Sequence, residues 1–350
     1  MKAILIKDFV ADFDEITVSE VDVPKPQPDR IIVQVKAAGV NFVDTLYVCK
    51  PIRSGDAKGK HQNNRSLVRP PFVLGLEFSG VVLSAPPDSG FRPGDRVFGA
   101  HTGSYSEVIS LPASAALHRI PETWTFAEAA GIAATLPVSY DALVLQGGLQ
   151  AGQTVLVHAA AGGLGIMAVQ IAVALGCRVI ATAGSADKCS VAAKFGAHDC
   201  INYTEEPRWW ERVLTLTGGK GVDVVFDPVG LVDRSLKCIA HRGKVLIVGF
   251  AGIKGEMERI AMNRILLKQV SLIGYRYGES SRRYPEAQDA IWNGLQPLIK
   301  SERVRPVVYE PEYNGLESVK HALKDMVARR IWGKAVVSIN TTSGQPKARL

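Results

Sequence analysis

Residues 154–175 restrict the fold more than any other stretch of this 350-residue chain. Thr154-Val155-Leu156-Val157 is a short run of strand formers. It leads into His158-Ala159-Ala160-Ala161-Gly162-Gly163-Leu164-Gly165, a turn made largely of small residues, and then into a stretch from Leu164 to Leu175 that is apolar almost all round. A helix without a polar face has to be covered, and an apolar strand feeding it belongs in a sheet buried on both sides. Similar runs recur at 178–182, 222–226, 244–248 and 270–273, each separated by a helical pattern. This alternation predicts an α/β fold, a doubly wound parallel sheet of Rossmann type.

The turn itself carries chemistry. Ala160-x-Gly162-x-x-Gly165 places small residues where a backbone must approach a ligand closely. The helix that starts there, at Gly163 and Leu164, points its free N–H groups at an anion. Strand, glycine-rich turn and helix in that order predict a dinucleotide site, with a tight packing turn as the plain alternative. The second strand of such a unit ends in an acid when it holds an unphosphorylated ribose. Here it ends Ala181-Thr182-Ala183-Gly184-Ser185, with Lys188 following. A hydroxyl and an ammonium without a carboxylate suit a 2′-phosphate, so NADPH is the expected cofactor; a solvated helix face is the other reading of Lys188.

The flanks differ. The first 120 residues are richer in Pro and Gly and carry short alternating strands such as Ile31-Ile32-Val33-Gln34-Val35-Lys36, which predicts a small, mostly antiparallel β domain. Residues 304–340 offer a strand, a helix near 316–330 and a last strand at 335–339 that should return to that domain. The expected division is 1–125 plus 276–340, then 126–275, with 341–350 as a loose tail. Five scattered cysteines (Cys49, Cys177, Cys189, Cys200, Cys238) suggest neither a disulfide frame nor a Cys-x-x-Cys metal site. Apolar residues make up 47% and charged residues 21%, which excludes a disordered chain, and no apolar run is long enough to span a membrane. The start reaches Asp8 too soon for a signal peptide.

The layout resembles that of the medium-chain alcohol dehydrogenases, whose zinc members carry a Cys ligand after an early Gly-Val pair and a Gly-His-Glu segment. This chain has Gly39-Val40-Asn41 and Gly75-Leu76-Glu77 at those places, so no metal is expected. Gly39-Val40-Asn41-Phe42-Val43-Asp44-Thr45, the 159–165 turn, Ile201-Asn202-Tyr203, Asn263-Arg264-Ile265-Leu266-Leu267-Lys268 and 271–278 closely resemble the zinc-free quinone oxidoreductases, the ζ-crystallin family. The resemblance implies a mainly β GroES-like catalytic domain beside the NADPH-binding one, and a homodimer. It also implies that Lys188 and Tyr203 hold the adenosine 2′-phosphate, that Phe250 lines the cofactor with Arg329 near it, and that Thr135 touches it.

Without a metal, a hydride acceptor needs proximity and a donor aimed at the oxygen where charge develops. Asn41 is the candidate, with a turn cap as its plain role. Asp44 either orients Asn41 or caps a helix, and Tyr47 either meets the acceptor or packs in the core. His158, just before the turn, reads as structural, and Cys49 as a buried inert thiol, with a reactive thiol as the alternative.

The expected activity is NADPH-dependent reduction of a quinone or similar electron-poor carbonyl. The alternatives are reduction of an enone or enoyl thioester double bond, or a crystallin-like or RNA-binding protein with little turnover. The formal charge is +7, from 41 Lys or Arg against 34 Asp or Glu. Residues 50–71, a polar loop expected to border the acceptor entrance, and the tail supply that excess, which argues against a nucleic-acid face on the folded body. The expected location is cytoplasmic; the alternative is peroxisomal, because Ala348-Arg349-Leu350 resembles a variant peroxisomal address.

Overall fold

A computed structural model of the chain describes residues 1–49, 68–252, 258–310 and 312–339. Most of the basic 50–71 segment and the tail, with its C-terminal tripeptide, lie outside the described residues. The described chain forms two compact units, one from residues 1–49, 68–134 and 308–339, the other from 135–307. Residues 276–307, expected with the first unit, cluster with the second. Helix Ala287–Lys300 explains this by burying Ile291, Trp292, Leu295 and Leu298 there and packing on helix Leu136–Tyr140. Residues 126–134, expected in the second unit, cluster with the first; their helix Phe126–Ala130 packs on strand Arg30–Gly39.

The first unit is built on strand Arg30–Gly39. It pairs antiparallel with Glu77–Ser84, with Val108–Pro112 and with the late strand Val336–Ser338. The C-terminal strand thus closes onto the N-terminal sheet, as expected. Arg30–Gly39 is buried over most of its length instead of alternating, because it lies inside the sheet and shifts register at two points against Glu77–Ser84. Val33, Val35, Phe78, Val97, Tyr105 and Leu323 are among the residues that make the core beneath it.

The second unit carries a parallel sheet in the spatial order Asp199–Asn202, Arg178–Ala183, Thr154–Val157, Val222–Asp227, Ile239–Ile247, Ser271–Gly274. Thr154–Val157 is flanked on one side by the second strand and on the other by the fourth, so the chain's winding reverses at its carboxyl end. Helix Gly163–Ala174 follows and buries residues from Gly165 to Ala172 without a break, which is why it lacks a polar stripe. Leu156, Ile180, Val225, Val245 and Trp209 form the core on one face.

The cysteine expectation needs correction. Helix Ala186–Lys194 packs back on strand Asp199–Asn202 and joins Cys189 to Cys200 as a disulfide, with the Cα atoms 5.4 Å apart. Their spacing in sequence is irregular because one lies on a helix and the other on the strand beneath it.

Candidate active site

The glycine turn occupies the reversal point of the parallel sheet. Ala159 takes a left-handed backbone (φ 47°), and Ala160 donates its N–H to Thr182 O at 3.1 Å, tying the turn to the second strand. A Cβ on Gly165 would lie 2.2 Å from Ala159 O, so only glycine lets the helix sit this close to the strand. Gly162 is the N-cap and brings no side-chain oxygen, which leaves the first-turn N–H groups at Gly163, Leu164 and Gly165 without a side-chain cap. A cradle of small residues and an uncapped helix start fit a dinucleotide pyrophosphate. Thr135 is buried in the same unit, at the start of helix Leu136–Tyr140, whose Ser139 donates to Leu164 O at 2.9 Å.

At the tip of the second strand, Ser185 caps helix Ala186–Lys194 by accepting from the Lys188 N–H at 3.3 Å. Tyr203 donates its backbone N–H to Ala183 O at 3.0 Å, and its ring lies over Gly184, where a Cβ would come within 2.6 Å of the phenol oxygen. Ser185, Lys188 and Tyr203 therefore share one strand tip. Phe250 is exposed just after strand Ile239–Ile247. Arg329 belongs to the first unit, in a left-handed turn after helix Val319–Val327. His158 is fully buried, within 2.9 Å of both Thr182 Oγ1 and Ser235 Oγ, and burial lowers its pKa, in keeping with a structural role.

The first unit assembles a second constellation, around Asn41. The Asn41 side-chain amide donates to Glu77 Oε1 at 2.9 Å, and its carbonyl accepts from Lys334 Nζ at 2.5 Å. Lys334 is also ion-paired with Glu77, both nearly or wholly out of solvent. The other Glu77 oxygen accepts from the Ala134 N–H at 2.9 Å. Gly39 makes room for this carboxylate, since a Cβ there would sit 2.4 Å from Glu77 Oε1. A buried carboxylate and ammonium are tolerable here because their polar atoms are hydrogen-bonded as well as paired.

Asp44 lies in the first turn of helix Phe42–Val48 and accepts from the Asn41 backbone N–H at 2.9 Å and from the Tyr105 hydroxyl at 2.7 Å. Capping the helix and orienting Asn41 are thus one contact. The second Asp44 oxygen is buried without a hydrogen-bond partner among the described residues. Burial pushes the Asp44 carboxyl up to about 6, against the bonds from Tyr105 and Asn41, and drives the Tyr105 phenol higher still. Tyr47 and Cys49 pack against the first unit's core.

Lys334 and Tyr105 carry no signal in the local sequence. Lys334 lies 293 positions from Asn41, and only the return of the last strand brings it there. The donor set does not fit zinc. Asn41 and Glu77 already face an ammonium, Leu76 offers no ligand, and no group of three His, Cys, Asp or Glu side chains among the described residues could hold a metal.

Residues 27–122 match the alcohol dehydrogenase GroES-like domain family, and residues 163–293 the family described as zinc-binding dehydrogenase. The chain is 35% identical over 328 residues to the cattle (Bos taurus) quinone oxidoreductase-like protein 2, covering 90% of this chain and 87% of that protein. It is 30% identical to the human (Homo sapiens) quinone oxidoreductase over 307 residues, 85% of this chain and 88% of that one. Its fold resembles that of the Escherichia coli quinone oxidoreductase complexed with NADPH, with a TM-score of 0.79, 29% identity, and coverage of 97% of this chain and all of the other. With its glycine turn at the sheet reversal and an ammonium facing Asn41 and Glu77, the chain belongs to the zinc-free quinone oxidoreductases of the medium-chain dehydrogenase/reductase superfamily, and is a nicotinamide-dependent oxidoreductase.

Proposed function

We propose that the protein is an NADPH-dependent quinone oxidoreductase that reduces a quinone or a similar electron-poor carbonyl without a metal. The observation that supports this reading is the buried Asn41–Glu77–Lys334 cluster, whose charge-backed amide would supply the polarising donor that a metal otherwise provides. NADPH, when bound, supplies the hydride. The protein's work is to hold both partners and to stabilise the charge that develops on the acceptor oxygen.

The division of labour follows the two units. In the second, Ala160, Gly162, Gly163, Leu164 and Gly165 would take the pyrophosphate, with Thr135 and Phe250 contacting the cofactor. Ser185, Lys188 and Tyr203 would take the 2′-phosphate, and the resemblance adds Arg329 to the cofactor-binding residues. The absence of an acid at the strand tip supports NADPH over NADH, since a carboxylate there would repel the phosphate. In the first, one Asn41 amide hydrogen is committed to Glu77, and the other has only a long contact, 3.4 Å, to Gly39 O. That second hydrogen would be the donor to an acceptor oxygen, exchanging this weak bond for a stronger one. Lys334 fixes the flip of the amide by binding its carbonyl, and Asp44 fixes the backbone beneath it. Tyr47, on the same short helix and packed against the first unit's core, would stack on the acceptor or supply a proton.

A homodimer is part of the proposal. Strand Ser271–Gly274 is the last in its sheet, and the helix before it exposes Met262, Leu266 and Leu267, an apolar face suited to a second copy. No described helix is long and apolar enough to cross a membrane. The decisive assay follows NADPH oxidation with ortho-quinones, enones and an enoyl thioester in parallel. Fastest turnover with quinones is the expected result. Preference for the enone or thioester would make the protein a double-bond reductase, and tight NADPH binding without consumption would make it a binding protein.

A further inference from the structure

The disulfide between Cys189 and Cys200 does not act in the chemistry above, but its position bears on the cofactor. Cys189 directly follows Lys188 on helix Ala186–Lys194, and Cys200 lies three residues before Tyr203, on the outermost strand of the parallel sheet. The bond therefore ties together the two elements that carry the proposed 2′-phosphate residues. The strand itself is held to its neighbour Arg178–Ala183 without the bond, so what the disulfide adds is a direct tie from strand to helix. His198 donates its N–H to Val179 O at 2.9 Å, and Arg178 pairs with Asp199 at 2.9 Å.

Four of the five cysteines fall into two chemically different pairs. Cys177 and Cys238 are buried, and burial raises both thiols, Cys238 to about 12, so neither forms a thiolate readily. Cys189 and Cys200 are only half-buried, within reach of a small reagent. Their Cα separation of 5.4 Å lies inside the range that a disulfide spans without backbone movement.

We propose that Cys189 and Cys200 are a reversible thiol–disulfide pair whose oxidation tightens the grip on the NADPH 2′-phosphate. The proposal rests on the reading of Lys188 and Tyr203 given above. Oxidation by a low-molecular-weight disulfide such as oxidised glutathione balances in two exchanges. One cysteine thiolate attacks the reagent and releases one glutathione thiolate. The second cysteine thiolate then attacks the protein sulfur of the mixed disulfide and releases the other. Two protein thiols lose two electrons, the reagent gains them, and the two protons end on glutathione. With the bond closed, Lys188 and Tyr203 ride on one cross-linked body, and less ordering is left for NADPH to impose. With it open, helix and outer strand are joined only by packing and through strand Arg178–Ala183, which pairs with the outer strand and leads into the helix. The expected loss on reduction is about three- to tenfold in NADPH affinity, the scale of ordering one long side chain.

The test equilibrates the full-length protein in glutathione buffers of graded redox ratio, traps free thiols by alkylation and reads the 189–200 link by peptide mass spectrometry. Kd for NADPH and NADH is measured at each ratio by fluorescence titration. The proposal expects the link to form and break reversibly, NADPH to bind about three- to tenfold more weakly to the reduced protein, and NADH to be unaffected. Cys189→Ser and Cys200→Ser should bind NADPH as the reduced protein does and lose the response, whereas Cys177→Ser keeps it. No link at any ratio, a link that leaves the NADPH Kd unmoved, or equal changes for both cofactors would each overturn the proposal. Lys188→Ala separates the two claims. If it weakens NADPH selectively while redox state does nothing, the 2′-phosphate reading stands and the switch falls; if it weakens both cofactors alike, the 2′-phosphate reading itself falls.

Discussion

The two units solve the problem of a charged partner by opposite means. The second builds its proposed phosphate site from backbone: a left-handed Ala159, an uncapped helix start and a Gly165 that tolerates no Cβ. The first holds its site in side chains: a carboxylate, an ammonium and an amide locked together out of water. Backbone donors are fixed by the fold and need only small neighbours. Buried side-chain charges need each other, so the first site is more exposed to damage by a single substitution than the second.

The largest expected effect tests that dependence. Lys334→Met leaves Glu77 buried without its cation and should cost roughly 3–5 kcal/mol of stability, read by urea unfolding. Adding Glu77→Gln should restore much of the loss, because the uncompensated charge is then gone. A near-neutral Lys334→Met would break the contrast between the units.

Next in size is a pH effect on Asp44. Its carboxyl is raised from an ordinary 3.8 to about 6 by burial, so the folded protein keeps a proton that the unfolded chain has already released. The stability this proton confers is full below pH 4 and is lost as pH rises through about 6, to the extent of about 3 kcal/mol. Unfolding midpoints taken from pH 4 to 7 should fall more steeply for the wild type than for Asp44→Asn. Parallel curves would mean that the carboxyl titrates normally.

The smallest of these concerns the second unit's one charged contribution. Lys188→Ala should weaken NADPH by about 10- to 100-fold, the worth of a charge-assisted hydrogen bond, and change NADH by less than about twofold. Titrating both cofactors against both proteins measures it directly. Equal weakening would show that Lys188 serves the helix and not the phosphate.

The same contrast explains what the sequence made legible. The glycine turn is contiguous from Val155 to Gly165, so a candidate phosphate site can be read off a single line, and the parallel strands flanking it came out within a residue or two. Asn41 and Asp44 were readable as candidates because they share one turn of helix. Lys334 was not, since its partners lie near positions 41 and 77 and are assembled only when strand Val336–Ser338 joins Arg30–Gly39. Tyr105 was hidden for the same reason, 61 positions from the carboxylate it binds. The 189–200 disulfide and the placement of 276–307 also depended on how helices pack on a sheet, which local periodicity does not encode.

The central claim is that an amide held by a buried ion pair serves where a metal would otherwise polarise the acceptor. The most direct test is kcat with an ortho-quinone and saturating NADPH for chelator-treated wild type and for Asn41→Ala, with folding of both checked by thermal melting. The account predicts unchanged turnover after chelation and a loss of about a hundredfold or more in kcat for Asn41→Ala. Activity that disappears on chelation and returns with zinc, or an Asn41→Ala protein that turns over like wild type, would contradict it.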